Sequence, residues 1–387
     1  MVRFAHISDT HLGYKQYNLP EREQDFYNSF DELIDKIIEE RVNFVIHSGD
    51  LFEHSRPKVE ALIQALLGFK KLHEKGIKTY SIAGNHDIQI RKDFRPIQLL
   101  YQDYGVRLLD YERKYDIIKN EDIFIGGLPY HPVYYSEILN EEIQEISKTA
   151  NNYKKRILVL HQGLDAFLPW DQKHELKITD LPSNFHYYAL GHVHRRILQK
   201  FGDGILSYPG SSDIWNLHEV EDFKEKGKGF NLVDFDGREP TVQFIRLEKT
   251  RHFDKFTIDS DNFEDELNRV KNSTYKIYQK SPSKPIVGLN IIGKMKFDSA
   301  YYFSKIRQSI EEYVLTYKIK FSPIVEGVPI ETKSSVNFSD ILLELLDKNK
   351  TNTHFAEEIL DLLNERNVTE AIELAQKFYK EKWKDDS

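Results

Sequence analysis

The amino-acid sequence predicts an α/β protein built mainly from two mixed sheets stacked face to face and flanked by helices, with a small second α/β domain and a C-terminal helical segment. Three observations predict this fold class. Strand and helix patterns alternate over residues 1–125, short strands bounded by turns follow to about residue 250, and the last fifty residues show helical spacing. Such a mixture fits two packed sheets better than one parallel sheet. We therefore expect domains at 1–250, 251–330 and 331–387.

The first part of the chain alternates strand and helix patterns. Short apolar runs predict strands, and apolar residues three and four positions apart predict helices. Pro57 stands where a helix accepts proline in its first turn, and Gly76 ends the same helix. Along the chain these signals predict a strand at 2–7, a helix at 21–41, a strand at 42–47, a helix at 57–75, a strand at 78–82 and a short helix at 96–104.

Residues 125–250 repeat this theme more loosely. A helix is predicted at 136–151, and strands are predicted at 156–160, 187–190, 196–200, 204–208, 229–235 and 241–247. A long polar loop with Pro169, Trp170 and Pro182 separates the first two of these strands. In the second domain, residues 281–285 form a proline-rich loop and 316–321 a strand.

The last fifty residues carry short amphipathic stripes that begin at Phe338, Phe355 and Ala371. Their apolar residues recur at helical spacing, and together they offer more apolar surface than a pair of helices buries on itself. We therefore expect a partner to bind here. Docking of these helices against the body of the same chain is the alternative.

Composition narrows the class of protein. No apolar run approaches the ~18 residues that a membrane span requires, and the N-terminus enters a strand without a signal-peptide pattern, so a cytoplasmic protein is expected. The chain has no cysteine, which excludes disulfides and thiolate metal sites. Any metal must therefore be held by His, Asp, Asn or Glu.

The charge is unevenly distributed. The chain has a net charge of −8, yet residues 268–320 hold eleven Lys and Arg against three Asp and Glu, a local excess of +8 that leaves −16 on the remainder. Six tyrosines are interleaved with these cations: Tyr275, Tyr278, Tyr301, Tyr302, Tyr313 and Tyr317. Cations that meet phosphates and rings that stack on bases predict a nucleic-acid surface. A solvated lysine-rich face is the alternative.

Five short polar clusters recur in a fixed order, and most of them follow an apolar run that predicts a strand. They are Asp9-Thr-His11, Gly49-Asp50, Gly84-Asn85-His86-Asp87, His161-Gln162-Gly163 and Gly191-His192-Val-His194. Groups at strand ends can converge from distant parts of the sequence onto one edge of a sheet. Carboxylate, amide and imidazole ligands that converge in this way are typical of a two-metal hydrolytic centre.

The ligands divide into two sets. One ion would be bound by Asp9, His11, Asp50 and His194, and the second by Asp50, Asn85, His161 and His192. Asp50 is shared because one carboxylate can bridge two cations about 4 Å apart. On a strand, residues two apart share a face, which would place Asp9 beside His11. Oxygen and nitrogen ligands without sulfur suit Mn²⁺, Fe²⁺ or Zn²⁺ better than Ca²⁺.

His86 follows Asn85 directly and cannot easily bind the same ion. It is better placed to touch the phosphate or to protonate the leaving oxygen as a general acid. Asp87 could orient His86, and a helix N-cap is an equally good role for that residue.

The order of these clusters resembles that of the calcineurin-like metallophosphoesterases over residues 1–250. Within that superfamily, three segments resemble the Mre-eleven/SbcD nucleases of DNA double-strand-break repair: His6-Ile-Ser-Asp-Thr-His-Leu-Gly13, His47-Ser-Gly-Asp-Leu-Phe52 and Leu190-Gly-His-Val-His194. Beyond residue 250, position and composition match but no motif does.

The resemblance implies a four-layer sandwich with the same ligand set and two Mn²⁺ per chain. It further implies a 3′-to-5′ double-strand exonuclease and single-strand endonuclease that works as a homodimer, with a dimer contact on the helices at 57–75 and 96–104. The second domain would be a DNA-binding capping domain. The C-terminal helices would bind an SMC-like ABC ATPase of the Rad-fifty/SbcC type, and the protein would act at the nucleoid.

The sequence departs from this family at one position. Many relatives have a second catalytic histidine three residues after the bridging Asp, where this chain has Glu53, and a histidine follows at His54. Either the loop presents His54 in that role, or the role is missing. A small-molecule phosphodiesterase of the same fold is an alternative function, and so is a non-catalytic scaffold in a complex that tethers DNA ends.

Overall fold

The computed structural model describes residues 2–88, 95–110, 112–168, 174–236, 239–323 and 350–364, together with 374, 375 and 378. Helices in these ranges are α1 (Pro20–Glu39), α2 (Val59–Glu74), α3 (Ser136–Ala150), α4 (Val220–Lys226), α5 (Phe263–Lys280), α6 (Ser299–Ile310) and α7 (Lys350–Asn364). The loop that holds Pro169 and Trp170 lies outside the described residues.

The first sheet has six strands in the order β12-β11-β1-β2-β3-β4. They are β1 (Val2–Ile7), β2 (Phe44–His47), β3 (Lys78–Ser81), β4 (Val106–Leu108), β11 (Gly229–Phe235) and β12 (Thr241–Arg246). Strands β1 to β4 are parallel, with Ile7 opposite His47 and His47 opposite Ser81. The carboxyl ends of β1, β2 and β3 therefore meet at the same edge.

The second sheet also has six strands, in the order β5-β6-β7-β8-β10-β9. They are β5 (Tyr115–Ile118), β6 (Ile123–Leu128), β7 (Lys155–His161), β8 (Tyr187–Gly191), β9 (Ile197–Phe201) and β10 (Gly204–Tyr208). The four central strands are parallel, and β5 and β9 are antiparallel edges. His161 lies opposite Gly191, so β7 and β8 end together.

The two sheets pack face to face. Their shared core holds Phe4, which stacks on Phe44 at 4.9 Å between ring centroids and meets Tyr187 of the other sheet edge-on at 5.3 Å. The apolar stripes of α1 and α2 cover the outer face of the first sheet, and that of α3 covers the outer face of the second. These layers confirm the fold class that the sequence predicts.

The chain adds a third sheet after residue 250. It is parallel and consists of β13 (Phe253–Asp259), β14 (Ile286–Gly293) and β15 (Thr316–Pro323). The helices α5 and α6 pack on this sheet through a separate apolar core. We call residues 251–323 the cap.

A buried ionic network joins the cap to α1. Arg251 donates two hydrogen bonds to Asp25 of α1, at 2.5 and 2.8 Å, and a third to the carbonyl of Lys284 in the cap. The fully buried Arg22 donates to the same Asp25 at 2.6 Å and to Asp213 at 2.8 Å. Residues 1–323 accordingly form one compact unit. The domain boundaries predicted at 250 and 330 stay predictions.

Residues from 324 onward form a second unit. Within it, α7 carries Phe355, which stacks on Phe378 at 3.8 Å between ring centroids. The helix predicted from residue 338 lies outside the described residues, and so does most of the one predicted from residue 371. Among the residues that the structure describes, no helix is long and apolar enough to cross a membrane.

Candidate metal centre

The five polar clusters meet at the carboxyl ends of β1, β2, β3, β7 and β8. The clusters that begin at Asp9, Gly49 and Gly84 start two or three residues after their strands end, whereas His161 and Gly191 are the last residues of β7 and β8. The loops after parallel strands open on the same side of a sheet, and stacking brings the two open edges together. Side chains separated by up to 185 positions in the sequence therefore share one site.

The first set of ligand atoms comes from Asp9, His11 and His194. One ligand atom from each lies within 4.8 Å of the others. The Nε2 atoms of the two histidines are 3.1 Å apart, and Nε2 of His194 is 3.7 Å from Oδ1 of Asp9. Asp9 and His11 are fully buried and His194 is partly exposed, so this set is reached from one side only.

The second set comes from Asp50, His161 and His192, again with one atom from each within 4.8 Å of the others. Asn85 belongs to it as well: its Oδ1 is 3.1 Å from Nε2 of His161 and 3.0 Å from Nδ1 of His192. An amide oxygen facing two ring nitrogens is a suitable fourth ligand for a cation bound by this set.

Asp50 lies between the two sets. Its Oδ2 is 3.2 Å from Nε2 of His161 in the second set and 3.9 Å from Nε2 of His11 in the first. Its Oδ1 accepts the backbone N–H of His86 at 2.9 Å, which prevents the carboxylate from turning. The structure thus brings together all seven side chains that the sequence predicts as ligands, and the bridging role of Asp50 stays a prediction.

The backbone at these ligands is unusual. Asp9, His11, Asp50 and His192 have φ values of 53°, 44°, 55° and 88°. These values lie in the left-handed region, where side chains other than glycine are strained by about 1–3 kcal/mol per residue. Asp9 and His11 therefore converge through a left-handed turn beyond β1, and the strand geometry expected from their spacing does not apply.

Glycine is required beside Asp50. Gly49 has a φ of 96°, and Gly84 leaves so little room that a Cβ there would collide with Oδ1 of Asp50. The two glycines let the turns after β2 and β3 approach each other closely, which places Asp50 and Asn85 in the same site.

Each ligand histidine has an acceptor at or near its other ring nitrogen. Nδ1 of His161 is 2.7 Å from the carbonyl of Ser48, Nδ1 of His11 is 3.0 Å from Glu53, and Nδ1 of His194 is 3.3 Å from Glu219. Nε2 of His192 lies 3.9 Å from Glu175. Such acceptors set the tautomer and leave the opposite nitrogen free for a metal. The donor set and its outer contacts therefore fit divalent cations.

The charges of these side chains shift one another's pKa values. Burial disfavours charge, but the carboxylates of Asp50 and Asp9 outweigh it and raise the pKa of His161 to about 9. Burial and the positive charge of His161 lower the pKa of His192 to about 3. Although burial opposes it, the charges of His161 and His86 hold the pKa of Asp50 well below its usual range. Metal ligands must be deprotonated, so cations and protons compete for His161.

His86 stands beside the first set without joining it. Its Nδ1 is 2.8 Å from the carbonyl of Glu53, which directs Nε2 away from that loop. Burial lowers the pKa of His86, but the charges of Asp50 and Glu53 outweigh burial and raise it above the ordinary value. A partly exposed imidazole that holds its proton suits a general acid.

Within the part of the chain that the structure describes, the Asp87 carboxylate neither hydrogen-bonds His86 nor caps a helix. Its carboxylate accepts the backbone N–H groups of Gly84, Leu51 and Phe52 at 3.0, 3.1 and 3.0 Å, and so fastens the turn after β3 to the turn after β2. Burial and the nearby charge of Asp50 raise the pKa of Asp87 to about 6.

Glu53 and His54 are neighbours in sequence but lie in different environments. The Glu53 side chain is buried and points toward His11, whereas His54 is exposed. In the sequence Glu53 stands out only as a departure from the family pattern, and Glu175, Glu219 and Trp215 are not among the predicted site residues. Of these, only Glu219 has a local signal, because it forms a capping box with Asn216.

Comparison with known proteins identifies the family of this chain. Residues 2–196 match the family model of the calcineurin-like phosphoesterases. The chain is 39% identical over 354 residues to the DNA double-strand break repair protein Mre11 of Methanocaldococcus jannaschii, covering 90% of both proteins. It is 33% identical to the Mre11 protein of Saccharolobus solfataricus, with 90% of each covered, and 32% identical to that of Sulfolobus acidocaldarius, with 97% and 98% covered.

Among solved structures, a dimetal phosphatase from Danio rerio covers 62% of this chain and 98% of its own at 11% identity, with a TM-score of 0.37, an overlap too low to carry weight. The family match and the full-length relatives carry the assignment. This chain is a metal-dependent phosphodiester hydrolase and belongs to the calcineurin-like phosphoesterases, within the family of the Mre11 proteins.

Proposed function

We propose that this protein is a manganese-dependent nuclease that processes DNA ends in double-strand-break repair, as a 3′-to-5′ exonuclease on duplexes and an endonuclease on single strands. The observation that carries the proposal is the pair of ligand sets that meet at Asp50. Relatives along nearly the whole chain are DNA double-strand break repair proteins, which supports DNA as the substrate.

We assign a role in hydrolysis to each part of the site. Two bound cations would activate a water and neutralise the charge that develops on the phosphate. The carboxylate of Asp50 holds the two ligand sets at a fixed separation. Nδ1 of His86 donates to the carbonyl of Glu53, so its Nε2 is the atom that gives a proton to the leaving oxygen. His54 is exposed, which makes it the weaker of the two candidate catalytic histidines.

Manganese is proposed from the chemistry of the ligands. Three carboxylate or amide oxygens and four imidazole nitrogens form a mixed set that suits Mn²⁺, and the shared Asp50 makes two ions per chain the expected content. Titration of the metal-free protein with Mn²⁺ by calorimetry should give two ions. Asp50→Ala should give fewer than two ions, since this residue contributes to both sets.

The cap offers a surface for DNA. Exposed Lys271, Tyr275 and Tyr278 lie on one face of α5, and the ring of Tyr313 packs 5.1 Å from Tyr275 and 6.0 Å from Tyr278. Lys276 and Lys280 extend this surface toward the end of the helix. The opposite end of α5 differs, because Glu264 and Glu266 pair there with Lys305 and Arg269. DNA contact at the C-terminal half of α5 is therefore favoured.

A homodimer is supported by an apolar stripe on α2. Val59, Ile63 and Leu67 follow one another at four-residue spacing and are 64%, 49% and 48% exposed. Leu100 on the turn of 3₁₀ helix at Ile97–Tyr104, which packs against α2, is 62% exposed. An exposed apolar stripe of this kind is costly on a monomer and is buried in a symmetric pair.

An SMC-like ATPase is proposed as the partner of the C-terminal helices. In α7, the apolar residues Phe355, Ile359 and Leu362 recur at helical spacing, which is typical of a helix that binds a groove. A chain that ends at residue 333 should keep its nuclease activity and lose co-purification with such an ATPase. Unchanged co-purification would reject this part of the proposal.

The decisive experiment is a nuclease assay on duplex and single-stranded DNA with the metal-free protein before and after addition of Mn²⁺. We expect cleavage from 3′ ends only when Mn²⁺ is present. Hydrolysis of a small aryl phosphodiester without any cleavage of DNA would instead show the small-molecule phosphodiesterase of the same fold.

A further inference from the structure

Glu53 contacts three residues of the site: His11, His86 and Trp215. It is 5% exposed, and its Oε2 lies 3.0 Å from Nδ1 of His11 and accepts from Nε1 of Trp215 at 3.0 Å. The same oxygen is 3.9 Å from Nδ1 of His86, and the backbone carbonyl of Glu53 is 2.8 Å from that nitrogen. One residue thus touches both a metal ligand and the proposed acid.

We propose that Glu53 is a positioning residue that serves His11 and His86 at once, an inference that rests on the proposed function. Its carboxylate holds His11 in the tautomer whose Nε2 faces the ligand set. Its carbonyl and carboxylate together hold the His86 ring so that Nε2 is left for the leaving oxygen. Metal binding and proton transfer are thereby coupled through one side chain.

The His11 contact follows from ring geometry. Nε2 of His11 lies 3.1 Å from Nε2 of His194 and 3.9 Å from Oδ2 of Asp50. Nε2 is therefore the ring nitrogen that faces the ligand set. The remaining nitrogen, Nδ1, meets Glu53 at 3.0 Å. A carboxylate 3.0 Å away favours the proton on Nδ1 through its charge, although the two atoms are not aligned as a hydrogen bond. Such contacts typically change metal affinity by about 10–100-fold when removed.

The ring of Trp215 packs beside this contact. It packs against the rings of His11, His194 and His86, with centroids 5.9, 5.4 and 6.2 Å apart. The indole N–H is held by Glu53, and the His86 ring stands edge-on to His11 at 4.9 Å. Removing the carboxylate frees the indole and His11, which pack against His86, while the backbone carbonyl of Glu53 still accepts from Nδ1 of His86.

The cluster of His11, Glu53 and His86 is less suited to binding a third cation. One atom each of His11, Glu53 and His86 lies within 4.8 Å of the others, which would suit a metal ion. However, the indole N–H of Trp215 points at the same carboxylate oxygen, and Nδ1 of His86 is occupied by a carbonyl. Donors directed at the site repel a cation and suit a hydrogen-bonding role.

The test compares Glu53→Ala and Glu53→Gln on two substrates at saturating Mn²⁺. DNA has an alkoxide leaving group that needs a proton, whereas bis(4-nitrophenyl) phosphate has a leaving group that needs none. Glu53→Ala keeps the carbonyl that holds Nδ1 of His86, so we expect kcat on DNA to fall by about tenfold, less than the about 10²–10⁴-fold that a general acid contributes, and kcat on the aryl ester to change far less. Glu53→Gln keeps an oxygen acceptor and should restore most of that ratio.

Glu175→Ala is the matched control, because Glu175 lies 3.9 Å from Nε2 of His192, a member of the other ligand set. Calorimetry should show Mn²⁺ affinity weakened by about tenfold or more in both alanine variants. Only Glu53→Ala should change the ratio of the two substrates. ¹⁵N chemical shifts of the metal-free protein should show that His11 keeps its Nδ1–H tautomer in wild type and in Glu53→Gln but not in Glu53→Ala.

The inference is overturned if Glu53→Ala has wild-type Mn²⁺ affinity, or if it slows both substrates equally at saturating metal with an unchanged melting temperature. If the wild-type protein hydrolyses the aryl ester but leaves DNA intact, the proposed nuclease function is wrong, and that result is distinct from a failure of the role of Glu53.

Discussion

The Nε2 atoms of His11 and His194 lie 3.1 Å apart, although 183 residues separate the two histidines in the sequence. Two ring nitrogens at that distance repel each other unless a proton or a cation lies between them. Asp9 is 3.7 Å from His194 and adds negative charge to the same point. The fold therefore holds the two rings where a divalent cation relieves their repulsion, and protons compete with it in acid.

His86→Ala should lower the rate of DNA cleavage by about 10²–10⁴-fold, because a general acid contributes that much, while Mn²⁺ content stays at the wild-type level. Single-turnover kinetics and metal analysis measure the two quantities. His54→Ala is the matched control. The exposed position of His54 predicts a small effect, and a loss as large as that of His86→Ala would show that the loop presents His54 to the substrate.

Replacing Lys271, Lys276 and Lys280 together by alanine should weaken duplex binding and make its salt dependence shallower. Each lost phosphate contact should lower the slope of log K against log salt by about 0.9. Fluorescence anisotropy at several salt concentrations measures this slope. Arg307→Ala is the control, because Arg307 already pairs with Glu311 at 3.0 Å. Equal effects of the two changes would argue against a DNA surface on α5.

Ile63→Glu combined with Leu67→Glu should convert a homodimer to monomers, since burying two carboxylates in an apolar contact costs more than the contact supplies. Sedimentation velocity over a range of protein concentrations measures the change. Leu198→Glu on β9 serves as the control, because Leu198 is 43% exposed on a different surface. A wild-type protein that sediments as a monomer would contradict the predicted dimer.

Acid should destabilise the metal-free protein partly through His6. Burial and the positive charge of His47 lower the pKa of His6 to about 3. The unfolded chain binds a proton below its ordinary pKa of about 6.5 and the folded chain does not, so stability is present above 6.5 and is lost as the pH falls toward 3.

His6→Gln removes the imidazole that binds this proton in the unfolded chain. The free energy of unfolding of wild type should therefore fall relative to that of the variant by about 1.4 kcal/mol per pH unit between 6.5 and 4. Urea titrations in a chelator measure the difference. A difference that does not vary with pH would show that His6 is protonated inside the fold.

Much of the fold and of the ligand set could be predicted from the sequence. The strand at Val2–Ile7 and the helix at Ser136–Ala150 have strong local patterns, and the polar clusters follow the strands directly. Asp, Asn and His next to glycine at strand ends are recognisable because both the residue types and their positions are local properties.

The outer contacts could not be predicted in this way. Glu53, Glu175 and Glu219 are single carboxylates in loops, and each acquires its role only when the chain brings a distant histidine to it. The left-handed backbone at Asp9 and His11 has no sequence signal either, since neither residue is glycine. The surrounding structure imposes it, so it appears only in three dimensions.

The left-handed conformations of Asp9 and Asp50 also bear on how this protein can change over generations. Asparagine tolerates that conformation as well as aspartate does, differs from it by one atom, and is one nucleotide away in the genetic code. A single mutation can therefore remove the charge that holds the cations and leave the turn in place. We expect natural copies that have lost catalysis to keep their shape and their partners, and to persist as folded proteins with another use.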